Sequence, residues 1–448
     1  MAALLIAALA VRIAYVEHTP FKAVNDAGTY NRLASQIART GDYDTGSAPG
    51  TGAGGSRGPT AYFPPGFPYF LALVDVVSGH QAGHRAAIEP ERIAQAVAGT
   101  IAVGLIGLVA LEAFGASVAL VSMALAAFYP VFVELSGTLV AENLLLLFEL
   151  GGTWTMLRAR RAQHPYAWIA ATGVLTGLAT LTHENAILFA IPFAFAAWAI
   201  GRERGPEPAS PGRPSANRTR AGRRALAAPT ILILITIVTI VPWTIRNASQ
   251  LHHFVPVSDE TGITLRGTYN PDSAGFGPVP YKWRFFWQIP QDAVLRHTAA
   301  RYDEVGLGSR LQDRAVHYIG DHPLAPLDAA FHNTLRMFEL EGSYAWHASA
   351  KAIGLHPDVA HTGVIAFWIL CLLALVGGFT RAARAAPRWL WGLPLLYALS
   401  IVFVNVETPR FREPVDVFLV LLAGCAVSAA LGRLLGGPST LSRPEGPA

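Results

Sequence analysis

The chain has 448 residues, 52% of them hydrophobic and only 14% charged, with a mean hydropathy of +0.36. Soluble domains of this size carry about a quarter charged residues, so the composition excludes an ordinary soluble enzyme and indicates a polytopic membrane protein. The formal charge of +4 comes mostly from arginine-rich loops, with no basic patch interleaved with aromatics, which argues against nucleic-acid binding.

Apolar stretches of roughly 17–25 residues are long enough to span a bilayer. The first, Ala2–Val16, is short and lacks the basic start of a signal peptide, although Arg12 lies near its end. A long loop, residues 17–92, follows. It opens with Asn25-Asp26, and then Tyr30, Leu33, Ala34, Ile37 and Ala38 fall on one helical face. The stretch Gly46–Pro59 is rich in Gly, Ser and Pro and reads as a flexible loop. Beyond Pro64-Pro65-Gly66, the spacing of Phe67, Phe70, Leu71, Val74 and Val77 predicts an amphipathic helix lying in the membrane interface.

Six spans come next: Ile93–Leu111, Ser117–Val133, Leu139–Leu157, Trp168–Leu181, Ala186–Ile200 and Ala225–Ile245. The loop Gly201–Arg224 between the last two is Pro/Arg/Gly-rich and reads as disordered. Residues 246–361 form a mixed outer domain. Its first half is rich in Gly, Pro and aromatics, and its second half predicts helices over Leu311–Ile319 and Leu324–Leu340, with a break at Asp321-His322-Pro323. Thr362–Phe379, Trp389–Val404 and Val415–Leu431 bring the total to about ten spans. The expected organisation is a membrane module over 1–245, the outer domain over 246–361 and a last membrane module over 362–448.

Arginine placement orients these spans. Arg158, Arg160 and Arg161, the stretch Arg202–Arg224, the group Arg381, Arg384 and Arg388, and Arg433 all fall on one side, which is then cytoplasmic. Cys371 and Cys425 lie in apolar spans and read as packing residues. The glycosylation patterns at Asn217 and Asn247 read as chance matches.

Asp26, Glu142, His183, Glu184, Arg246, Glu407, Arg410 and Arg412 all map to the opposite, outer side. Ionisable groups at a membrane are costly and mark functional sites by default. Each also has an ordinary explanation. Asp26 can cap the helix that follows it. Glu142 can pair with an arginine such as Arg12, and Arg246 and Arg410 can be interfacial anchors. His80, His84, Glu89 and Glu91 lie close together, but they lack the spacing of a metal motif, so no metal is predicted.

Several strings together resemble the C-type glycosyltransferase superfamily, in the branch of protein O-mannosyltransferases and the lipid A aminoarabinose transferase. They are Asn25-Asp26-x-x-x-Tyr30, Gly41-Asp42-Tyr43, Pro64-Pro65-Gly66-Phe67-Pro68, Ser136-Gly137-x-x-x-x-Glu142, Pro242-Trp243-Thr244-Ile245-Arg246-Asn247 with Asn270-Pro271, and Arg410-Phe411-Arg412-x-Pro414. Each is weak alone; their order and shared outer side make the set specific.

The resemblance implies an all-α polytopic fold and a donor sugar on a polyprenyl phosphate. The acceptor would be a lipid, glycan or protein hydroxyl at the outer face of the plasma membrane. It makes Asp26 the general base of an inverting transfer, with Arg246, Arg410, Arg412 and Tyr30 at the donor phosphate. Glu142, His183, Glu184, Asn270 and Glu407 would position sugar or acceptor, and no cofactor is required. Two departures leave sugar and acceptor open: mannosyltransferases carry an Asp-Glu pair where Asp26 stands alone, and relatives often show an arginine-containing string at His183-Glu184-Asn185. A transporter or flippase for a lipid-linked sugar is the rival reading, which charges at the membrane midplane would favour. A membrane scaffold, which needs no Asp26, is a third.

Overall fold

A computed structural model describes residues 1–44, 58–79, 88–203 and 216–435. Most of the Gly46–Pro59 stretch, together with His80 and His84, lies outside the described residues. The chain begins with α1 (Ala2–His18), α2 (Asn25–Thr40), α3 (Gly66–Ser78), α4 (Ile88–Phe114), α5 (Ala116–Phe128) and α6 (Pro130–Ser136). Then come α7 (Glu142–Arg161), α8 (Pro165–Thr182), a 3₁₀ helix at Glu184–Phe189, α9 (Ala190–Glu203) and α10 (Ala216–Leu251). The segment between α10 and the next long apolar helix holds α11 (Thr261–Thr268), α12 (Pro271–Ala274), α13 (Ala293–Thr298), α14 (Glu304–Asp321), α15 (Ala325–Met337) and α16 (Ser343–Ala352). Finally come α17 (Pro357–Gly378), α18 (Arg381–Ala385), α19 (Arg388–Val402), a 3₁₀ turn at Arg410–Arg412 and α20 (Glu413–Leu435). Among the described residues there is no strand, only an isolated bridge between Asp44 and Pro59.

Among the described residues, five helical stretches are long and apolar enough to cross a membrane: 88–114, 184–203, 225–251, 358–378 and 410–434. The pair α5–α6 makes a sixth if it is one broken span. Helices α1, α7, α8 and α19, which hydropathy also marks as spans, are shorter or less apolar and pack into the same bundle.

The expected continuous span Ser117–Val133 is bent by 56° between α5 and α6. Pro130 explains the break: it has no N–H to donate, and it pushes Tyr129 out of helical geometry to φ −65°, ψ 115°. Carbonyls freed at the break need donors, because the bilayer supplies none. Arg12 provides them, donating from Nη1 to Ala127 O (3.1 Å) and from Nη2 to Ala126 O (3.2 Å), while its Nε reaches Ser136 Oγ at 3.1 Å. The Arg-rich residues 216–224, expected in a disordered loop, are helical and extend α10. No proline lies between 216 and 228, and alanine and arginine are good helix formers.

Two close approaches set the frame of the site. A side chain at Gly66 would meet Thr182 Oγ1 at 2.5 Å, so only glycine lets α3 rest on the end of α8. Gly377 likewise brings α17 against the backbone of Leu422 in α20. Helices α2 and α3 bury Tyr30, Leu33, Ala34 and Ile37 against Phe67 and Leu71, while α3 exposes Tyr69, Leu73 and Val77 on its other face.

Candidate active site

A cavity of about 400 Å³ lies where the start of α2, the start of α7, the α8–Glu184 junction, α11 and α16 meet the 410–412 turn. Its centre is Arg410, only 8% exposed. Arg410 Nη2 is 2.8 Å from Asp26 Oδ2, and its Nε is 3.5 Å from Glu142 Oε1. The guanidinium also sits 4.3 Å from the centroid of the Phe411 ring. A buried guanidinium is stabilised only when carboxylates and hydrogen bonds replace its water, and two carboxylates from distant parts of the chain do so here.

Local structure aims Asp26 at Arg410. Helix α2 starts at Asn25, with Val24 as its N-cap and no side-chain cap bond, so Asp26 is not a capping residue. Asn25 takes φ 46°, a left-handed conformation asparagine tolerates, and its Nδ2 donates to Ala352 O at 2.9 Å. That anchor fixes the first turn, from which Asp26 reaches into the cavity with 30% of its side chain exposed. One turn on, Tyr30 lies between the rings of Phe63 and Phe67, with centroids 4.6 and 5.0 Å away. Burial, then the neighbouring Asp26, push its hydroxyl well above the ordinary range, so it stays a neutral donor.

Glu142 is 2% exposed at the first turn of α7, and among the described residues no donor reaches its Oε2. Glu184, opening the 3₁₀ helix after His183, accepts a hydrogen bond from Ser258 Oγ. The His183 ring stands edge-on to Tyr397 and Phe411, both with centroids 5.9 Å away. Lys282 Nζ pairs with Glu407 at 3.2 Å. Glu260 completes the wall, its carboxyl pushed well above the usual range by burial, then by Glu184 and Asp26. Among the described residues the lining holds five carboxyl groups, so Arg410 and Lys282 leave a surplus of acid. No three His, Cys, Asp or Glu side chains among those residues converge on a common metal position.

The structure therefore brings Asp26, Tyr30, Glu142, His183, Glu184, Glu407 and Arg410 to one cavity. It does not bring Arg246, Arg412 or Asn270 there. Arg246 donates to Tyr43 O (2.5 Å) and Thr60 O (2.7 Å) and lies over Trp243, holding Tyr43 and Thr60 against α10. Arg412 is 1% exposed and pairs with Glu339 at 2.7 Å and Asp416 at 3.1 Å, because the 3₁₀ turn points it away from Arg410. Asn270 caps α12 by accepting from Ser273 N at 2.8 Å. Asn247 is buried too, donating to Val255 O at 3.0 Å. Glu91, weighed as a metal ligand, accepts instead from Asn31 at 2.8 Å.

Sequence reading missed Lys282 and Glu260. One signal was available for the first: Lys282 is one of three lysines in a chain whose 34 basic residues are nearly all arginine. Glu260 carried none, since it sits in an irregular segment without periodicity.

Residues 63–207 match the model of the dolichyl-phosphate-mannose-protein mannosyltransferase family. The fold is similar to that of the archaeal oligosaccharyltransferase AglB from Archaeoglobus fulgidus, solved with an inhibitory peptide and a dolichol-phosphate. The TM-score is 0.54 at 13% identity, over 98% of this chain and 52% of that one. The apo form of the A. fulgidus oligosaccharyltransferase gives 0.51 at 14% identity, over 98% and 52%. ArnT from Cupriavidus metallidurans, bound to undecaprenyl phosphate, gives 0.39 at 16% identity, over 96% and 78%. The chain thus spans about half the length of the oligosaccharyltransferase. No curated protein matches the sequence. The fold agrees with the all-α polytopic class expected from the sequence.

Proposed function

We propose that the chain is an integral membrane glycosyltransferase. It moves a sugar from a polyprenyl-phosphate donor to an acceptor hydroxyl at the extracytoplasmic face of the plasma membrane. The observation that carries this reading is the Asp26–Arg410–Glu142 cluster, which sets a partly exposed carboxylate beside a buried guanidinium in a cavity at one end of the helical bundle.

The reaction forms a bond from the acceptor oxygen to the anomeric carbon and breaks the bond from that carbon to the phosphate oxygen. The acceptor proton goes to Asp26, and general-base assistance of this kind contributes about 10²–10⁴-fold. Attack from the face opposite the leaving phosphate inverts the anomeric centre. The negative charge left on the lipid phosphate needs a preorganised cation, and a guanidinium can hold two phosphate oxygens at once. Arg410 takes that role. The phosphate competes with Asp26 for the same guanidinium, so donor binding frees Asp26 Oδ2 for the acceptor hydroxyl. Glu142 holds Arg410 from the other side, and its unclaimed Oε2 can accept from a sugar hydroxyl. Lys282, released from Glu407, is the second cation within reach of the phosphate. Sugar faces find Tyr62, Phe63 and Trp283 in the lining.

Helix α7 supports the orientation. Glu142 at its start lines the cavity, while Arg158, Arg160 and Arg161 occupy its last turn. Twenty helical residues separate these ends by about 30 Å, the thickness of a bilayer core, so basic residues and cavity fall on opposite sides.

Asp26→Asn tests the proposal in membranes supplied with radiolabelled polyprenyl-phosphate sugars. Transfer by the wild-type protein and its loss in a folded variant is the expected result. Normal transfer by Asp26→Asn removes the base assignment, and no transfer by the wild type from any donor removes the function.

A further inference from the structure

We propose that α15 is a membrane-embedded interfacial helix, seated in the phospholipid leaflet that borders the cavity. Its apolar stripe contacts lipid rather than water or another protein.

Helix α15 has two unlike faces. Ala325, Ala329, Asn333, Arg336 and Met337 are buried against the protein. On the other face Leu324, Leu327 and Phe331 are each more than 60% exposed, and Phe338 and Leu340 continue the exposure past the helix end. At 100° per residue, Leu324, Leu327, Phe331, Leu335 and Phe338 fall within one narrow stripe. Between residues 324 and 340 the one exposed charge is Asp328, at the stripe's edge, and Arg336 and Glu339 point inward. A water-facing helix of this length would carry charges along that stripe.

The stripe is continuous with a surface that already faces lipid. Helix α17 exposes Ile365, Ile369 and Leu372 along the bundle's outside. Between them Trp368, more than ten residues into α17, donates from Nε1 to Phe338 O at 3.0 Å, so the end of α15 sits beside the middle of a spanning helix. The buried face is anchored as well, where Asn333 Nδ2 donates to Val402 O at the end of α19 (2.7 Å). Thirteen residues make a helix of about 20 Å, too short to span a core of about 30 Å, so α15 lies within one leaflet. Trp346 and Trp368, with ring centroids 5.7 Å apart, close the end of α15 against α17, Trp346 donating from Nε1 to Glu339 O at 3.1 Å.

The test uses full-length protein with Cys371 and Cys425 replaced by serine and one new cysteine labelled with an environment-sensitive fluorophore. The new cysteine is Leu324→Cys, Leu327→Cys or Phe331→Cys, with the exposed Gln312→Cys of α14 as the aqueous reference. These side chains are exposed, so labelling leaves the packed face intact. Each protein is reconstituted into nanodiscs of phosphatidylcholine and phosphatidylglycerol, with or without a shallow doxyl-labelled lipid. The stripe labels are expected to lose at least half their emission to the doxyl lipid and to resist iodide several-fold better than the label at 312. Equal iodide quenching at all positions overturns the proposal. Iodide shielding without doxyl quenching also overturns it, and cross-linking through position 331 would then identify a second copy as the cover. No readout involves sugar transfer, so the result is independent of the proposed activity.

Discussion

Arg410 and Arg412 stand two residues apart on one 3₁₀ turn and live in opposite environments. Arg410 faces the cavity, held by Asp26 at 2.8 Å and loosely by Glu142 at 3.5 Å. Arg412 points to the far side of the turn. There it pairs with Glu339 and Asp416, donates to Met337 O at 3.1 Å and lies 3.5 Å from the centroid of Phe367. Tyr129, at the break between α5 and α6, donates to the same Asp416 at 3.0 Å. Arg412 therefore ties the broken helix, α20, α17 and the end of α15 into one buried node, and Arg410 inherits a fixed position from it. A guanidinium enclosed by the chain's own carboxylates, with no opening to the cavity that Arg410 lines, is structure. In the proposed reaction Arg410, by contrast, exchanges its carboxylates for the donor phosphate.

Arg412→Ala is the strongest way to break this distinction. Removing one partner from a buried charge network costs about 3–5 kcal/mol, because Glu339 and Asp416 lose their cation. A thermal melt in detergent should fall accordingly; an unchanged melt with transfer abolished would assign Arg412 to the chemistry instead. Arg410→Lys tests the other side. It keeps a positive charge beside Glu142 but cannot grip two phosphate oxygens, so transfer should drop by about 10²–10³-fold with the melting temperature nearly held. A large loss of stability there would make Arg410 a second structural node.

Asp259 sharpens the comparison by showing a half-buried acid that no arginine among the described residues pairs with. Burial, then Glu304 and Asp303, push its carboxyl up to about 7. A folded-state value above the unfolded one means its stabilising contribution is complete below about pH 4 and fades as pH rises through 7. Asp259→Asn should therefore flatten the fall in melting temperature between about pH 4 and 8. A pH profile identical to wild type would show that Asp259 is ionised in the fold.

The fold class was legible because hydropathy reports directly on the bilayer. The break at Pro130 was not, since apolar residues continue unbroken through it and hydropathy does not register a missing N–H. Asp26 and Arg410 were legible from their strings, and the structure puts them in contact. Arg412 was indistinguishable from Arg410 in sequence, because only the turn's 120° per residue separates the faces they occupy. Arg246 and Asn270 looked like binding residues because buried polar side chains that hold loops use the same groups. Lys282 and Glu260 escaped notice because irregular segments have no period from which to infer a face.

The pairing at the cavity's centre also has a history in time. Asp26 and Arg410 are separated by 384 residues, nearly the whole chain. At about 5–20 residues per second of synthesis, α2 waits roughly 20–80 s before its counter-ion leaves the ribosome. During that interval Asp26 is without the guanidinium that it meets at 2.8 Å in the fold. The cavity is therefore completed only after α19 has been made, and its closure reports that the 410–412 turn has reached α2.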